Sequence, residues 1–475
     1  MNGAAPDHLL IASLIGPDGE TLRAQASAAV EHADLLEIRL DLLREPHPGS
    51  LENLRTLGKP LLLTLRSTHE GGRDERDPEA ARGRLMEFAR PGDWLDWEAV
   101  RGAPPLWPAE KRVISRHIPG AATADDLRNE LAALRGYPAR FYKLIFTART
   151  LQDNLNARAA LSHAQADAIP LACFAMGELG VPSRLLALSW GSAAVFGSAP
   201  GESDAAASGQ LPVDLMARLY RVREISAATR LLGITGNPVL HSLSPALHNP
   251  RLRGAGLDAR FLPLPAVDFN DFLGFAHAVN LAAAAVTTPF KNPAFAHAGR
   301  TSPEADAAGA VNTLLFAEGR PVWGGNTDGE GVLAPLAPWL HFPRMARVLI
   351  AGYGPAARAA GAAIGRLCPA VFFTGRKQPE HALPGSWIEA EAAAQERFSI
   401  LINATPVPAP RWEAPLNGLL RQSPPVILEM DYRDPVTPVA YPPGVQVISG
   451  RDMLRAQGEV QARIFIAHLA GAGMA

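Results

Sequence analysis

The chain has 475 residues, 45 basic and 47 acidic side chains, a formal net charge of -2 and 47% hydrophobic residues. That length exceeds one ordinary domain and sets an expectation of two to four, each able to bury a core. So small a net charge gives no global field for nucleic acid or an anionic membrane, and a small molecule is the expected partner.

Two cysteines, Cys173 and Cys368, stand about 200 residues apart, which argues against a disulfide framework or a thiolate metal site. No metal is expected. The opening residues, Met1 to His8, lack a basic leader, and no apolar run approaches the ~20 residues needed to span a bilayer. The expected setting is soluble, reducing and cytoplasmic.

In the first half, eight short apolar runs read as strands: Leu9 to Leu14, Leu35 to Leu40, Leu61 to Leu65, Trp94 to Trp97, Arg112 to Ser115, Arg140 to Phe146, Leu171 to Phe174 and Ala193 to Phe196. Between them, Glu20 to His32, Pro78 to Ala89, Ala124 to Leu134 and Leu151 to Gln165 carry apolar residues at helical spacing. Eight strand-helix units in about 220 residues predict a closed parallel barrel, whose site lies at the carboxyl ends of the strands.

Those ends are polar: Glu37-Ile38-Arg39-Leu40-Asp41, Thr64-Leu65-Arg66 with Glu70-Gly71-Gly72, Asp96-Trp97-Glu98 and Ser115-Arg116-His117. Lys143 is the least easily explained, because a lysine inside an apolar barrel strand reaches no water unless it faces an open site. A desolvated lysine amine forms a Schiff base with a ketone, and a histidine beside it, here His117, moves protons on the adjacent carbon.

These residues resemble the type I 3-dehydroquinate dehydratases. Glu37 to Asp41 resembles that family's Glu-x-Arg-x-Asp, Thr64 to Arg66 with Glu70 to Gly72 its Thr-x-Arg and Glu-Gly-Gly, and Ser115 to His117 its Ser-x-His. Met176-Gly177-Glu178-Leu179-Gly180 with Ser183-Arg184 is similar to its Met-Gly-x-x-Gly-x-x-Ser-Arg, and Gly209-Gln210 to the end of its closing loop. The resemblance implies a (β/α)8 TIM barrel over residues 1–224 with Lys143 as Schiff-base lysine and His117 as general base oriented by Glu70. It further implies Arg184 on the substrate carboxylate, with Glu37, Arg39, Arg66 and Gln210 holding hydroxyls or ordering the site. The family's Ser-Ala-Pro-Gly-Gln is here Ala206-Ala207-Ser208-Gly209-Gln210. A lost hydrogen bond of ~0.5–1.5 kcal/mol and a looser lid are expected, with chemistry retained.

A short link, roughly Glu224 to Thr229, contains no Pro/Gly/Ser-rich tract, so the halves are expected close together. Leu231 to Gly236 reads as a strand, and Ser242 and Ser244 then open a helix, where such hydroxyls are more commonly plain caps and are also well made to bind a carboxylate. From Val286 to Asp328 three turns carry Lys291, Asn312 and Asp328, an ammonium, a carboxamide and a carboxylate at strand ends or in the turns after them. Arg347 to Ala351 then leads into Gly352-Tyr353-Gly354-Pro355-Ala356-Ala357 and a helix to Leu367, a strand, G-x-G-x-x-A turn and helix suited to a pyrophosphate. After the next strand, Arg376 and Lys377 stand where an NAD site carries an acid, which favours the 2′-phosphate of NADP.

This half resembles the shikimate dehydrogenases. Ser242-Leu243-Ser244-Pro245 with His248-Asn249 resembles their Ser-x-Ser-Pro-x-x-His-Asn, Val286-Thr287-Thr288-Pro289-Phe290-Lys291 their Val-Thr-x-Pro-x-Lys, and Asn326-Thr327-Asp328-Gly329 their Asn-Thr-Asp-Gly. Gly450 to Gln457 resembles their Gly-x-x-Met-Leu-x-x-Gln. The implied architecture is two-lobed, an α/β substrate lobe of 230–335 and 451–475 and a Rossmann NADP lobe of 336–450.

The implied roles are Lys291 as proton donor paired with Asp328, Ser242 and Ser244 on the carboxylate, and Asn312 and Gln457 on substrate. Gly352, Gly354, Ala357, Arg376, Lys377, Thr405 and Tyr432 are implied on the cofactor. Ala285, Val407-Pro408 and Glu429 depart from the family pattern, with expected effects on strand anchoring and nicotinamide seating.

The joint expectation is one chain that dehydrates 3-dehydroquinate and reduces the product, 3-dehydroshikimate, to shikimate. The rivals are a quinate-active catabolic pair using NAD and a metabolite-sensing homologue without turnover. A homodimer is left open. Lys143 must act unprotonated, so its site is expected desolvated or crowded by cations, whereas Lys291 must hold a proton, which Asp328 favours.

Overall fold

The computed structural model describes residues 8–44, 47–201, 208–421, 424–432 and 439–471. The eight apolar runs form β1 (Leu9–Leu14), β2 (Leu35–Arg39), β3 (Leu61–Thr64), β4 (Trp94–Glu98), β5 (Arg112–His117), β6 (Phe141–Thr147), β7 (Leu171–Met176) and β8 (Ala194–Ser198). They lie in the order β7-β6-β5-β4-β3-β2-β1-β8. Neighbours are parallel, as in β1 with β2 and β8 and in β5 with β6, and Ala193 N donates to Leu171 O at 2.8 Å where β7 meets β8. These strands are largely buried, which is why they read as continuous apolar runs rather than alternating ones.

The predicted helices form with small shifts at their ends. Pro78–Phe88 is capped by Asp77, which accepts from Glu79 N and Ala80 N, and Ala124–Leu134 opens on a Thr123/Asp126 capping box. The helix read from Leu151 instead starts at Asn154. The amides before it are used elsewhere: Arg149 N and Thr150 N donate to Asp153, and Leu151 N and Gln152 N donate to the buried Asp271 at 2.8 and 3.0 Å.

The second half adds two sheets. β9 (Arg230–Gly236), β10 (Ala259–Pro265), β11 (Ala283–Val286), β12 (Thr313–Ala317) and β13 (Arg320–Gly325) lie in the order β10-β9-β11-β12-β13, with β11 parallel to β9 and antiparallel to β12. β14 (Arg347–Ala351), β15 (Ala370–Thr374), β16 (Ser386–Trp387), β17 (Ile400–Asn403), β18 (Val426–Glu429) and β19 (Gln446–Ile448) form a parallel sheet of order β16-β15-β14-β17-β18-β19. That is the doubly wound order of a dinucleotide fold. Its faces separate by strand alternation: Val348, Ile350, Ile400 and Ile402 pack in one core, Leu349, Ala351, Leu401 and Ile427 in the other.

The chain divides into two compact units. One holds the residues up to Arg230 with Pro238–Pro245 and Asp258–Val279, the other Leu231–Asn237, Ala246–Leu257 and the residues from Asn280. Segment Asp258–Val279 groups with the barrel through the Asp271 bonds and through Arg260 Nε, which donates to Tyr220 O at 3.1 Å.

Candidate active sites

Strand register sets the first site. Ser13 lies beside Glu37, Thr64 beside Asp96, Glu98 beside Ser115, and Ser115 beside Lys143, so polar side chains from neighbouring strands meet at the carboxyl end of the barrel. One pocket is lined by Ser13, Glu37, Arg39, Arg66, His117, Lys143, Arg184 and Gln210 among others. Every barrel residue expected at the site lines it except Glu70, which lies behind His117: Glu70 Oε2 accepts from His117 N at 3.0 Å and faces His117 Nδ1 at 3.2 Å.

Lys143 is 4% exposed. Its Nζ lies 3.3 Å from Asp96, 3.7 Å from Glu37 and 3.9 Å from the Phe196 ring centroid. The site is desolvated as expected, but carboxylates and not cations are its nearest charged groups. The reason is charge compensation, since Arg66 and Lys143 share Asp96. Burial alone would raise the Asp96 carboxyl, and those two cations outweigh it and hold the carboxyl below its ordinary range.

Arg66 is the hub. Its NH1 donates to Glu70, Glu98 and Ser115 at 3.1, 3.1 and 3.0 Å, and its NH2 to Asp96 at 3.0 Å. With three carboxylates around it, Arg66 orders the site and has little left to give a ligand. Arg39 is forked onto Asp41, Nε to Oδ1 at 2.9 Å and NH2 to Oδ2 at 2.8 Å, and faces the pocket.

His117 is held well below its ordinary value, first by burial and then by Arg66, Lys143, Arg39 and Arg116. It is therefore neutral at neutral pH and able to accept a proton. Arg184 is the opposite case: it is 2% exposed, no carboxylate among the described residues pairs with it, its Nε has no hydrogen-bond partner, and burial lowers it to about 10. Its NH1 donates to Phe196 O at 2.8 Å and its guanidinium lies 4.6 Å from the Phe174 ring centroid. A buried cation without a counter-ion is a site for an anion.

The closing loop reaches the pocket through Gln210, whose Nε2 donates to Ser13 Oγ at 3.0 Å, and Ser13 Oγ donates to Glu37 at 2.5 Å. Gly209 has φ +74°, and a Cβ there would stand 2.1 Å from Gly177 O, so this close approach requires glycine. Ser208, where the family has proline, accepts from Gly177 N at 3.0 Å. Ala206 and Ala207 lie outside the described residues.

The second site gathers Lys291, Asp328, Asn312 and Gln457. Lys291 opens the helix Lys291–His297 and Asp328 opens Asp328–Leu336. Lys291 Nζ donates to Asp328 Oδ2 at 2.5 Å, and Asn312 Nδ2 donates to Asp328 Oδ1 at 2.8 Å and to Gln457 Oε1 at 3.2 Å. Asn312 precedes β12 instead of ending a strand, because its N donates to Gly325 O and its carbonyl accepts from Val286 N, which ties it between β13 and β11. Ser242 Oγ donates to Ser244 Oγ at 3.1 Å and accepts from Ser244 N at 3.2 Å, so the two serines form a pair at the start of Ser244–Gly254.

The parallel sheet offers a dinucleotide cradle. Gly352 has φ +106° at the end of β14, with Ala404 O 3.1 Å from where its Cβ would be. Gly354 caps the helix Pro355–Gly365 without a side-chain hydrogen bond, and nothing lies within 4 Å of its absent Cβ. Ala357 is buried against β14 in the core. The buried Thr374 Oγ1 has no partner at the end of β15, and Arg376 and Lys377 follow it, exposed. Free space before a helix N-terminus, an orphan hydroxyl and two surface cations fit a phosphorylated dinucleotide.

The departures in this half have structural answers. Ala285 is anchored by its ladder partners Ile234 and Thr313. The Val407 turn is locked through its backbone, Val407 O accepting from Asn403 Nδ2 at 2.7 Å and from Thr405 Oγ1 at 3.0 Å. Glu429, raised by burial, accepts from Ala409 N, Tyr441 OH and Asn403 Nδ2 and so ties that turn to the sheet. Tyr432 follows β18 and is partly buried.

Sequence reading missed Ser13 and Gln461. Ser13 was legible only as the polar residue near the end of β1. Gln461 stands one helical turn after Gln457, and its Nε2 donates to Asn312 O at 2.9 Å. Among the described residues, no cluster of His, Cys, Asp or Glu could hold a metal ion, and no helix is long and apolar enough to cross a membrane.

Residues 10–227 match the family model for type I 3-dehydroquinase, and residues 234–314 match that for the shikimate dehydrogenase substrate binding domain. The bifunctional 3-dehydroquinate dehydratase/shikimate dehydrogenase of Arabidopsis thaliana chloroplasts is 31% identical over 324 residues, 65% of this chain, which thereby spans 53% of that relative. A shikimate dehydrogenase (NADP(+)) of Citrifermentans bemidjiense is 33% identical over 51% of this chain and 91% of its own length. The shikimate biosynthesis protein AroDE of Chlamydia pneumoniae is 26% identical over 75% of this chain and 74% of its own.

Proposed function

We infer, for a chain that belongs to the shikimate dehydrogenase family and carries a type I 3-dehydroquinase unit ahead of it, two successive steps of the shikimate route. The first unit dehydrates 3-dehydroquinate to 3-dehydroshikimate through an imine, and the second reduces that product to shikimate with NADPH. The observation that carries the reading is the barrel pocket: a buried amine, a neutral histidine backed by a carboxylate, and a buried guanidinium that no carboxylate among the described residues pairs with.

In the first site Lys143 Nζ, freed of its proton, adds to the ketone, and water leaves as the imine forms. Asp96 and Glu37, the nearest carboxylates at 3.3 and 3.7 Å, keep that amine oriented toward the pocket. The His117 nitrogen that faces away from Glu70 takes a proton from the carbon beside the imine and returns it to the departing hydroxyl, which leaves as water. Hydrolysis of the imine then restores the lysine. Arg184 holds the substrate carboxylate, while Arg39 and Gln210 bind its hydroxyls.

In the second site NADPH, when bound, supplies the hydride. Lys291 gives a proton to the carbonyl oxygen as it gains charge, and Asp328 keeps that ammonium oriented. Asn312 and Gln457 hold hydroxyls, and Ser242 and Ser244 take the carboxylate. The Gly352 to Gly354 turn and Ala357 let the pyrophosphate approach, Thr405 and Tyr432 lie on the cofactor side, and Arg376 with Lys377 reads the 2′-phosphate. The unpaired buried thiols of Cys173 and Cys368 fit a reducing compartment such as the cytoplasm.

The test is purified protein given 3-dehydroquinate and NADPH, with dehydroshikimate, NADPH and shikimate followed together. Dehydroshikimate should appear first, and NADPH should fall mole for mole with shikimate. Absence of both products would overturn the reading, and preference for quinate with NAD would replace it by the catabolic pair.

Two substitutions test binding roles. Arg376→Ala should raise the KM for NADPH roughly 10- to 100-fold, the effect of losing a charge-assisted contact of ~1.5–3 kcal/mol, with little change for NADH. An equal rise for both cofactors would remove Arg376 from the 2′-phosphate. Arg184→Met should raise the KM for 3-dehydroquinate by at least about tenfold, and an unchanged KM would place the substrate carboxylate elsewhere.

A further inference from the structure

Glu70 is buried and asymmetrically bonded. Its Oε2 receives Arg66 NH1 at 3.1 Å, His117 N at 3.0 Å and faces His117 Nδ1 at 3.2 Å. Its Oε1 has a single hydrogen-bond donor among the described residues, Arg116 NH1 at 3.1 Å. Arg116 lies on β5 directly before His117, and its side chain, 25% exposed, reaches outward to Glu130 at 3.6 Å on the helix Ala124–Leu134.

We propose that Arg116 is a positioning residue for dehydration: by holding Oε1 it fixes the plane of the Glu70 carboxylate so that Oε2 is presented to the His117 ring. This rests on the dehydratase reading of the barrel. Without Arg116, Oε1 is a buried oxygen with no donor, and the carboxylate can turn about its last bond or take up a proton. Either change releases the ring that must accept the substrate proton, while Lys143 keeps all of its contacts.

The charged groups that face this pair are Arg66 from the end of β3, Glu98 from β4, Arg116 itself, and, toward His117, Lys143 from β6 and Arg39 from β2. Burial raises the Glu70 carboxyl and the Arg116 bond lowers it. Burial lowers His117, and the Arg116 charge lowers it further. Dehydration needs Glu70 ionised and His117 neutral, so it fails on the acid side, when either gains a proton. Removing Arg116 raises both groups, and the acid limb must move to higher pH.

The experiment measures kcat against pH for dehydration by the full chain carrying Arg116→Gln or Arg116→Lys, together with borohydride trapping of the Lys143 imine from 3-dehydroquinate. Arg116→Gln should trap the imine normally and shift its acid limb upward by about one pH unit, a roughly tenfold loss below the limb. Arg116→Lys, which keeps the charge, should return the limb to its wild-type position. An unchanged limb in Arg116→Gln, an equal shift in Arg116→Lys, or loss of trapping in Arg116→Gln would each overturn the assignment. A wild-type chain that traps no imine would instead sink the dehydratase reading.

Discussion

Lys143→Ala should abolish dehydration of 3-dehydroquinate, by at least about 10⁴-fold, because no other group in the pocket can form the imine. Borohydride with substrate should add mass to the wild-type peptide that contains Lys143 and none to the variant. The substitution also removes one of the two cations that hold Asp96 ionised and the charge above Phe196. Lys143→Met, which keeps the apolar stem, is therefore the companion variant: the same loss in both, with reduction of 3-dehydroshikimate retained, isolates the amine from the packing. Imine trapping at another lysine in active enzyme would remove Lys143 from the mechanism.

Lys291→Ala should cost reduction of 3-dehydroshikimate about 10²–10⁴-fold, the usual worth of a positioned general acid, while dehydration continues at the wild-type rate. Asp328, 4% exposed, keeps its bond from Asn312 Nδ2 at 2.8 Å, so the hydroxyl contacts should survive and KM should change less than kcat. Loss of both activities in this variant would show that the two steps do not run on independent sites. A variant that reduces normally would exclude Lys291 as the proton donor.

Each lysine has a carboxylate neighbour, yet the settings differ. Lys291 meets Asp328 at 2.5 Å with its side chain 13% exposed, a tight pair at the edge of solvent. Lys143 stands farther from two carboxylates, at 3.3 and 3.7 Å, in a pocket where Arg66 competes for Asp96. The first is a close one-to-one pair, whereas in the second Asp96 is divided between Arg66 and Lys143.

Much of this molecule was settled by local sequence. Apolar runs of strand length marked β1 to β8 and β14, since burial on both faces demands continuous apolar side chains. The turn Gly352 to Gly354 marked a helix start, because that signal acts within a few residues. Lys143, His117, Lys291 and Asp328 were legible because a charge or imidazole in an apolar setting needs a reason.

What the tertiary structure alone decided was how those groups are wired. Arg66 meets Asp96 and Glu98 of β4 and Ser115 of β5 through the register of neighbouring strands, and Gln210, which follows β8, meets Ser13 of β1, the strand paired with β8. The carboxylates beside Lys143 and the hold of Arg116 on Glu70 follow from that arrangement, as does the absence, among the described residues, of a carboxylate paired with Arg184. Local periodicity states which face of a strand is buried; it carries no information about which distant side chain shares the face, and on that sharing the charge balance of the site depends.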